Sequence, residues 1–212
     1  MTTTHTTAAP GRDGDAAARP LGSQPLIRQQ GEEIQRFGTV RLLPIALSYE
    51  ARLESCQLLN HILVDSMILY SHYKKHHWLM RGHTFYQLHL LLDKHAGEQL
   101  ELIDLIAERV QTLGGIAIAD PRHVAEITTI ARPPNGAEEV PVMLSRLLEA
   151  HELIVAEVRD AITATAANRD DGTNDMLMGD VLRRHELQVW FVAEHLVDTP
   201  LTRAWLAPTD SP

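Results

Sequence analysis

Lys75–Gly115 reads KHHWLMRGHTFYQLHLLLDKHAGEQLELIDLIAERVQTLGG. Within it Leu88, Leu91, Leu92, Leu102, Leu105, Ile106 and Val110 recur at the three-and-four spacing of a helix with one apolar face. Thr84 is placed to cap its start and Gly114-Gly115 to stop it. Upstream, from about Ser48, the residues Leu53, Cys56, Leu59, Leu63, Met67 and Tyr70 keep the same period, which predicts a first long helix ending before Gly82. Downstream, Asp120-Pro121 reads as a cap and first-turn proline of a short helix, and Pro133, Pro134, Asn135 and Gly136 break the chain again. A third long helix is expected from Glu139 to about Ala167 and a fourth from Asp175 to Val197, with Asp170-Asp171-Gly172 as the loop between them. No alternating run rich in β-branched residues appears and there is no internal repeat. The fold class is all-α, most simply a four-helix bundle.

The 212 residues suffice for one domain plus tails. Residues 1–40 carry Pro10, Pro20 and Pro25 among Thr, Ala and Gln, with few large apolar groups to offset the cost of ordering, so they read as a flexible tail. The bundle is expected over 41–200 and a second tail over 201–212. A net charge of -9 repels nucleic-acid phosphate. In the N-terminal tail Arg12, Arg19, Arg28 and Arg36 are balanced by Asp13, Asp15, Glu32 and Glu33, and in the C-terminal tail Arg203 faces Asp210. The apolar run Val181–Leu196 is interrupted by Arg183, Arg184, Glu186 and Glu194, so no membrane span is expected. The polar N-terminus lacks the apolar core of a secretory signal, and the single cysteine, Cys56, reads as a small buried hydrophobe. A cytoplasmic protein is the expectation.

The second helix carries His89 and Asp93 at i, i+4, then Asp104 and Glu108 at i, i+4. Each pair shares a helix face and could hold one side of a metal ion. The step from Asp93 to Asp104 is three turns plus about 20°, so both pairs point the same way, yet they lie about 16 Å apart along the axis. One ion cannot be held by both within a straight helix. An antiparallel copy of this helix, related by a two-fold axis near residues 98–99, would set Asp93 of one chain opposite Asp104 of the other. Ala96 and Gly97 would let the two backbones approach. Acidic pairs at this spacing are also what an ordinary solvated helix face carries, and pattern alone does not separate the two readings. His76 and His77 end the first helix nearby and could deliver a further imidazole, but with His72, His83 and His95 also close, chemistry leaves the choice open.

The order and spacing of His77-Trp78, Gly82 to Phe85, Leu88 to Asp93 and Asp104 to Arg109 resemble the signature of Dps proteins, the dodecameric mini-ferritins. The resemblance extends more weakly over about 41–200, and Lys74-Lys75 and Leu187-Gln188-Val189-Trp190 are similar to the cyanobacterial branch. It implies a hollow homo-oligomer in which His77, His89 and Asp93 of one subunit and Asp104 and Glu108 of its two-fold mate form a ferroxidase centre. It further implies oxidation of Fe(II) by hydrogen peroxide or oxygen, mineral storage in the cage and protection from oxidative damage. Trp78 resembles the family's tryptophan near the centre, a radical trap, though it also fits a packed aromatic at a helix end. Asp170, Asp171, Asp175 and Asp180 fall where the family forms acidic pores, and equally fit a cap and a solvated loop. Three carboxylates and two imidazoles suit Fe, Mn or Zn, so the ligands alone do not select iron.

No Glu is followed three residues later by His, which speaks against the centre that larger ferritins hold inside the bundle. Neither His151-Glu152 nor His185-Glu186 completes a zinc-protease motif, because Val155 and Val189 stand at the fifth position. His185, Glu186, Glu194 and His195 could add a ligand or form the polar face of the fourth helix. The alternatives to a ferroxidase are a DNA-compacting protein, which the neutral tails disfavour, and a zinc-holding scaffold with little turnover.

Overall fold

Four long helical segments bury their apolar side chains against one another. The computed structural model describes residues 22 and 24–198. The chain up to Ile34 and the chain from Gln35 onward form separate units. In the first unit, Gln24 donates through Nε2 to Gly31 O (2.9 Å) and accepts from Gly31 N (3.1 Å). Residues 1–21 and 199–212, which include most of the two expected tails, lie outside the described residues.

In the second unit, α1 (Tyr49–Leu79) and α2 (Phe85–Thr112) form a hairpin across a short loop. The long connection to α4 (Val140–Ala167) holds the short α3 (Pro121–Ile127). The fourth bundle helix is continuous through α5 (Asp171–Met176), a π-helical stretch (Leu177–Leu182) and α6 (Arg183–Ala193). α1 packs on α2 and α4, and α4 packs on the fourth helix. Among the described residues there is no strand, and no helix is long and apolar enough to cross a membrane. Leu59, Leu63, Leu92, Ile106, Leu147 and Ile154 are all but fully buried, each contributing about 1.5–3 kcal/mol by removal from water. Cys56 is buried as expected, and burial pushes its thiol up to about 11.

The expected helix ends at Ser48, Asp120 and Gly114 are realised. Ser48 accepts from Ala51 N, Asp120 accepts from Arg122 N with Pro121 in the first turn, and Gly114 takes a positive φ of 88°. Thr84 occupies the cap position of α2 without a side-chain capping bond.

Three features differ from the sequence expectation. The segment before residue 41 already engages the bundle: Gln35 Nε2 donates to Gly114 O (2.9 Å) and Val40 joins the core. Leu105 is exposed, whereas Ala96, expected beside a two-fold axis, turns into the core. The fourth helix starts at Asp171, earlier than Asp175, because the Asp170 carboxylate accepts from Thr173 N (3.2 Å) and Thr173 Oγ1 (2.6 Å) and so caps it. Asp171 and Gly172 are therefore its first turn and not a loop.

Candidate metal centre

The α1–α2 hairpin brings His77 and His89 face to face, with ring centroids 3.8 Å apart and an 18° interplanar angle. Each ring's Nδ1 faces the other residue's carbonyl oxygen: His77 Nδ1 lies 2.7 Å from His89 O, and His89 Nδ1 lies 3.0 Å from His77 O. A carbonyl only accepts, so both Nδ1 atoms donate, and in the neutral rings both Nε2 atoms keep a free lone pair. This is the outer-shell device by which a backbone carbonyl fixes the tautomer and direction of a metal-binding imidazole. Phe85 stacks on His89 from one turn earlier, at 5.0 Å.

Asp93, one turn after His89, lies with Oδ1 3.9 Å from His77 Nε2. Ligands that each sit roughly 2.0–2.2 Å from an ion can be up to about 4.2 Å apart, so the pair fits a bridging cation. In the chain alone that carboxylate is held by Lys74, whose Nζ donates to Oδ1 at 2.6 Å. The hydrogen bond and charge of Lys74 hold the Asp93 carboxyl below the usual range. Among the described residues, no three His, Cys, Asp or Glu side chains surround one point as a ready site. Lys74 also stands 5.9 Å over the ring of Trp78, which is 70 % exposed and so is not a packed aromatic of this chain.

Asp104 and Glu108 lie on the exposed face of the same helix, together with Gly97 and Leu100. Straight-helix geometry puts them about 16 Å and more from Asp93 along the axis. One chain therefore stacks His77 on His89, sets Asp93 beside His77, and leaves Asp104 and Glu108 apart from them.

The four aspartates at the start of the fourth helix separate. Asp171, Asp175 and Asp180 are exposed. Asp170 is 2 % exposed and takes Arg109 Nη2 at 2.6 Å, while Arg109 Nε donates to Thr173 Oγ1 at 2.8 Å. Burial alone would raise the Asp170 carboxyl, but the Thr173 hydrogen bonds and the Arg109 charge hold it below its usual range.

His185 is fully buried and faces His151 across the bundle. Glu186 is exposed and paired with Arg159 at 2.7 Å, and Glu194 and His195 are exposed in a terminal turn. His95, Gln99 and Gln188 complete a polar interior, with Gln99 Nε2 donating to Gln188 Oε1 at 2.9 Å. Neither this interior nor the Lys74 bridge is legible in the sequence, because both depend on contacts across helices.

The ferritin-like domain model matches residues 56–202. The chain is 69% identical to DpsC from Streptomyces coelicolor, over 81% of this chain and 100% of that one, with a TM-score of 0.80. A Dps homologue from Halobacterium salinarum superimposes with a TM-score of 0.78 at 25% identity, covering 82% of this chain and 97% of that chain. The nutrient stress-induced DNA-binding protein of a Synechococcus strain is 28% identical over 81% of this chain and 97% of its own length. With the ferritin-like domain model matching well over half of the chain and DpsC matched along its whole length, the chain belongs to the Dps family of ferritin-like proteins.

Proposed function

We propose that the chain is the subunit of a dodecameric mini-ferritin that binds Fe(II), oxidises it with hydrogen peroxide in preference to oxygen, and stores the ferric product as mineral inside the cage. The observation that carries this reading is the reciprocal His77–His89 latch, which leaves two Nε2 lone pairs free, that of His77 3.9 Å from the Asp93 carboxylate. Asp104 and Glu108 of a two-fold mate complete the centre. The exposed stripe of Gly97, Leu100, Asp104 and Glu108 on α2 supports that pairing, since it offers a small residue for close approach and apolar surface beside the carboxylates. Fe(II) reaches Asp93 by displacing Lys74, whose ammonium has the Trp78 face as an alternative seat.

Two Fe(II) ions giving one electron each reduce peroxide to water without releasing hydroxyl radical, which protects the cell from oxidative damage. Trp78 takes up stray oxidising equivalents. Asp171, Asp175 and Asp180 line the entry for iron, while Asp170 is engaged in the helix cap. Zn or Mn can occupy the same ligands, so iron is the substrate by family and not by ligand type. The same reading places the protein in the cytoplasm.

The test is complementation. One chain carries His89→Ala with Asp93→Ala, and the other Asp104→Ala with Glu108→Ala, each inactive when assembled alone. If every centre takes one pair from each of two chains, random co-assembly leaves roughly a quarter of centres with both pairs intact. Ferroxidation should then return on mixing. Mixed cages, verified by mass spectrometry, that stay inactive would reject the shared centre.

A further inference from the structure

The bundle interior holds a directed chain of three titratable side chains that the metal centre does not use. Tyr73 on α1 is fully buried, and its hydroxyl oxygen lies 2.5 Å from His151 Nε2 on α4. His151 Nδ1 lies 2.9 Å from His185 Nδ1 on α6, and both imidazoles are fully buried. A phenol O–H is a far stronger acid than a neutral imidazole N–H, and an imidazole nitrogen a stronger base than a phenol oxygen, so Tyr73 donates and His151 Nε2 accepts. A neutral His151 must then carry its proton on Nδ1 and donate it to His185 Nδ1. His185 in turn carries its proton on Nε2, a buried atom with no partner among the described residues. The polarity of the chain is thus set from Tyr73 to His185. Burial keeps both imidazoles neutral, His151 well below its usual value and His185 at about 3.

Two further placements give this chain a redox context. Tyr73 precedes His77 by one helical turn, about 6 Å along the axis. It also begins a series of ring contacts: Tyr73 to His95 at 5.4 Å, His95 to Phe191 at 6.2 Å, and Phe191 to Trp190 at 5.2 Å. Trp190 is 58 % exposed, so the series runs from the interior to the surface.

We propose that Tyr73 is a redox-active tyrosine whose proton is relayed through His151 to His185 when a one-electron oxidant takes an electron from its ring. This rests on the ferroxidase reading only for the source of the oxidant, a species of the hydroxyl-radical class formed when peroxide meets a single Fe(II). The oxidant gains one electron and becomes hydroxide. The Tyr73 O–H bond breaks as an N–H bond forms at His151 Nε2, and the His151 Nδ1–H bond breaks as an N–H bond forms at His185 Nδ1. The products are a neutral phenoxyl radical, a neutral His151 in its other tautomer, and a His185 imidazolium. Without the relay the proton would have no acceptor in an apolar interior, and a cationic phenol radical would be left desolvated. The ring contacts to Trp190 provide the path by which an external reductant returns the electron.

The test is freeze-quench EPR on the assembled full-length chain in two arms. The first arm is metal-free protein oxidised by a photogenerated ruthenium(III) tris-bipyridine, and the second is Fe(II)-loaded protein given hydrogen peroxide. Both should give a neutral tyrosyl signal that narrows with ring-deuterated tyrosine. Tyr73→Phe, which keeps the ring, should abolish it, and His151→Gln, which can accept a hydrogen bond but not a proton, should do the same in protein with unchanged helicity. No tyrosyl signal in the metal-free arm would overturn the proposal. So would a signal that survives Tyr73→Phe, or one of full intensity in His151→Gln. A Tyr73 signal with the photo-oxidant but none with iron and peroxide upholds the relay and counts instead against the iron chemistry.

Discussion

Acidification should weaken this bundle through its buried imidazoles, and His185 allows the size to be worked out. Its ring is fully buried, and desolvation takes it from an ordinary value of 6.5 to about 3. Between those two values the unfolded chain binds a proton at this residue and the folded chain does not, so stability falls as pH drops below 6.5 and stops falling near 3. Above 6.5 both states are neutral and the residue adds no pH dependence. At about pH 5 the loss from this ring is about 2 kcal/mol, taking roughly 1.4 kcal/mol per pH unit. That is a large share of the roughly 5–15 kcal/mol that holds a typical domain together. His151, also lowered by burial, acts in the same direction. The experiment compares wild type with His185→Gln, which keeps an acceptor for His151 Nδ1 but does not titrate. Denaturant unfolding followed by tryptophan fluorescence at about pH 7 and about pH 5 should show the wild type losing about 2 kcal/mol more than the variant. Equal losses, in samples of equal assembly state by light scattering, would refute the reasoning.

Two other outcomes follow from single contacts and from charge. At Gly115 an added Cβ would sit 2.5 Å from Cys56 Sγ and 3.0 Å from Val110 Cγ1, so Gly115→Ala should cost about 1–3 kcal/mol by overpacking. Adding Cys56→Ala should recover part of that loss, and strictly additive destabilisation in thermal melts would contradict the clash. Although one relative bears a DNA-binding name, the net charge of -9 predicts no stable complex with linear duplex at about 150 mM salt without divalent metal, because counterion release needs clustered cations. A gel shift under those conditions would disprove it.

Helix order and most helix ends were legible because they rest on local chemistry: the apolar period that begins near Ser48, the Asp120 cap, and the Gly114 stop. The bundle with its helical insert follows from those. The polar interior was not legible. Reading by hydropathy sends His95, His151 and His185 to the surface, yet neutral imidazoles can fill a core, as His151 does with both ring nitrogens partnered across the bundle. For the same reason Asp170 looked like a loop acid. Its cap to Thr173 is local, but the Arg109 that makes its burial tolerable stands 61 residues earlier. The ligand candidates were quoted from motif and helix phase, and what the structure adds is orientation: the paired Nδ1-to-carbonyl bonds of His77 and His89 depend on how the hairpin closes.

The π-helical stretch Leu177–Leu182 bears on which changes of length this fold can absorb. A π turn carries one residue more than the α turn it replaces, so the stretch takes up a surplus residue while keeping His185, Gln188 and Val192 on the inner face. Removing one residue there lets the helix tighten to regular α geometry with the downstream faces still in phase. A deletion elsewhere, in α4 or α6, turns every later side chain by about 100°, sending buried positions into solvent. Gly179, in the middle of the wide turn, marks the place where a shorter version of this chain would splice cleanly.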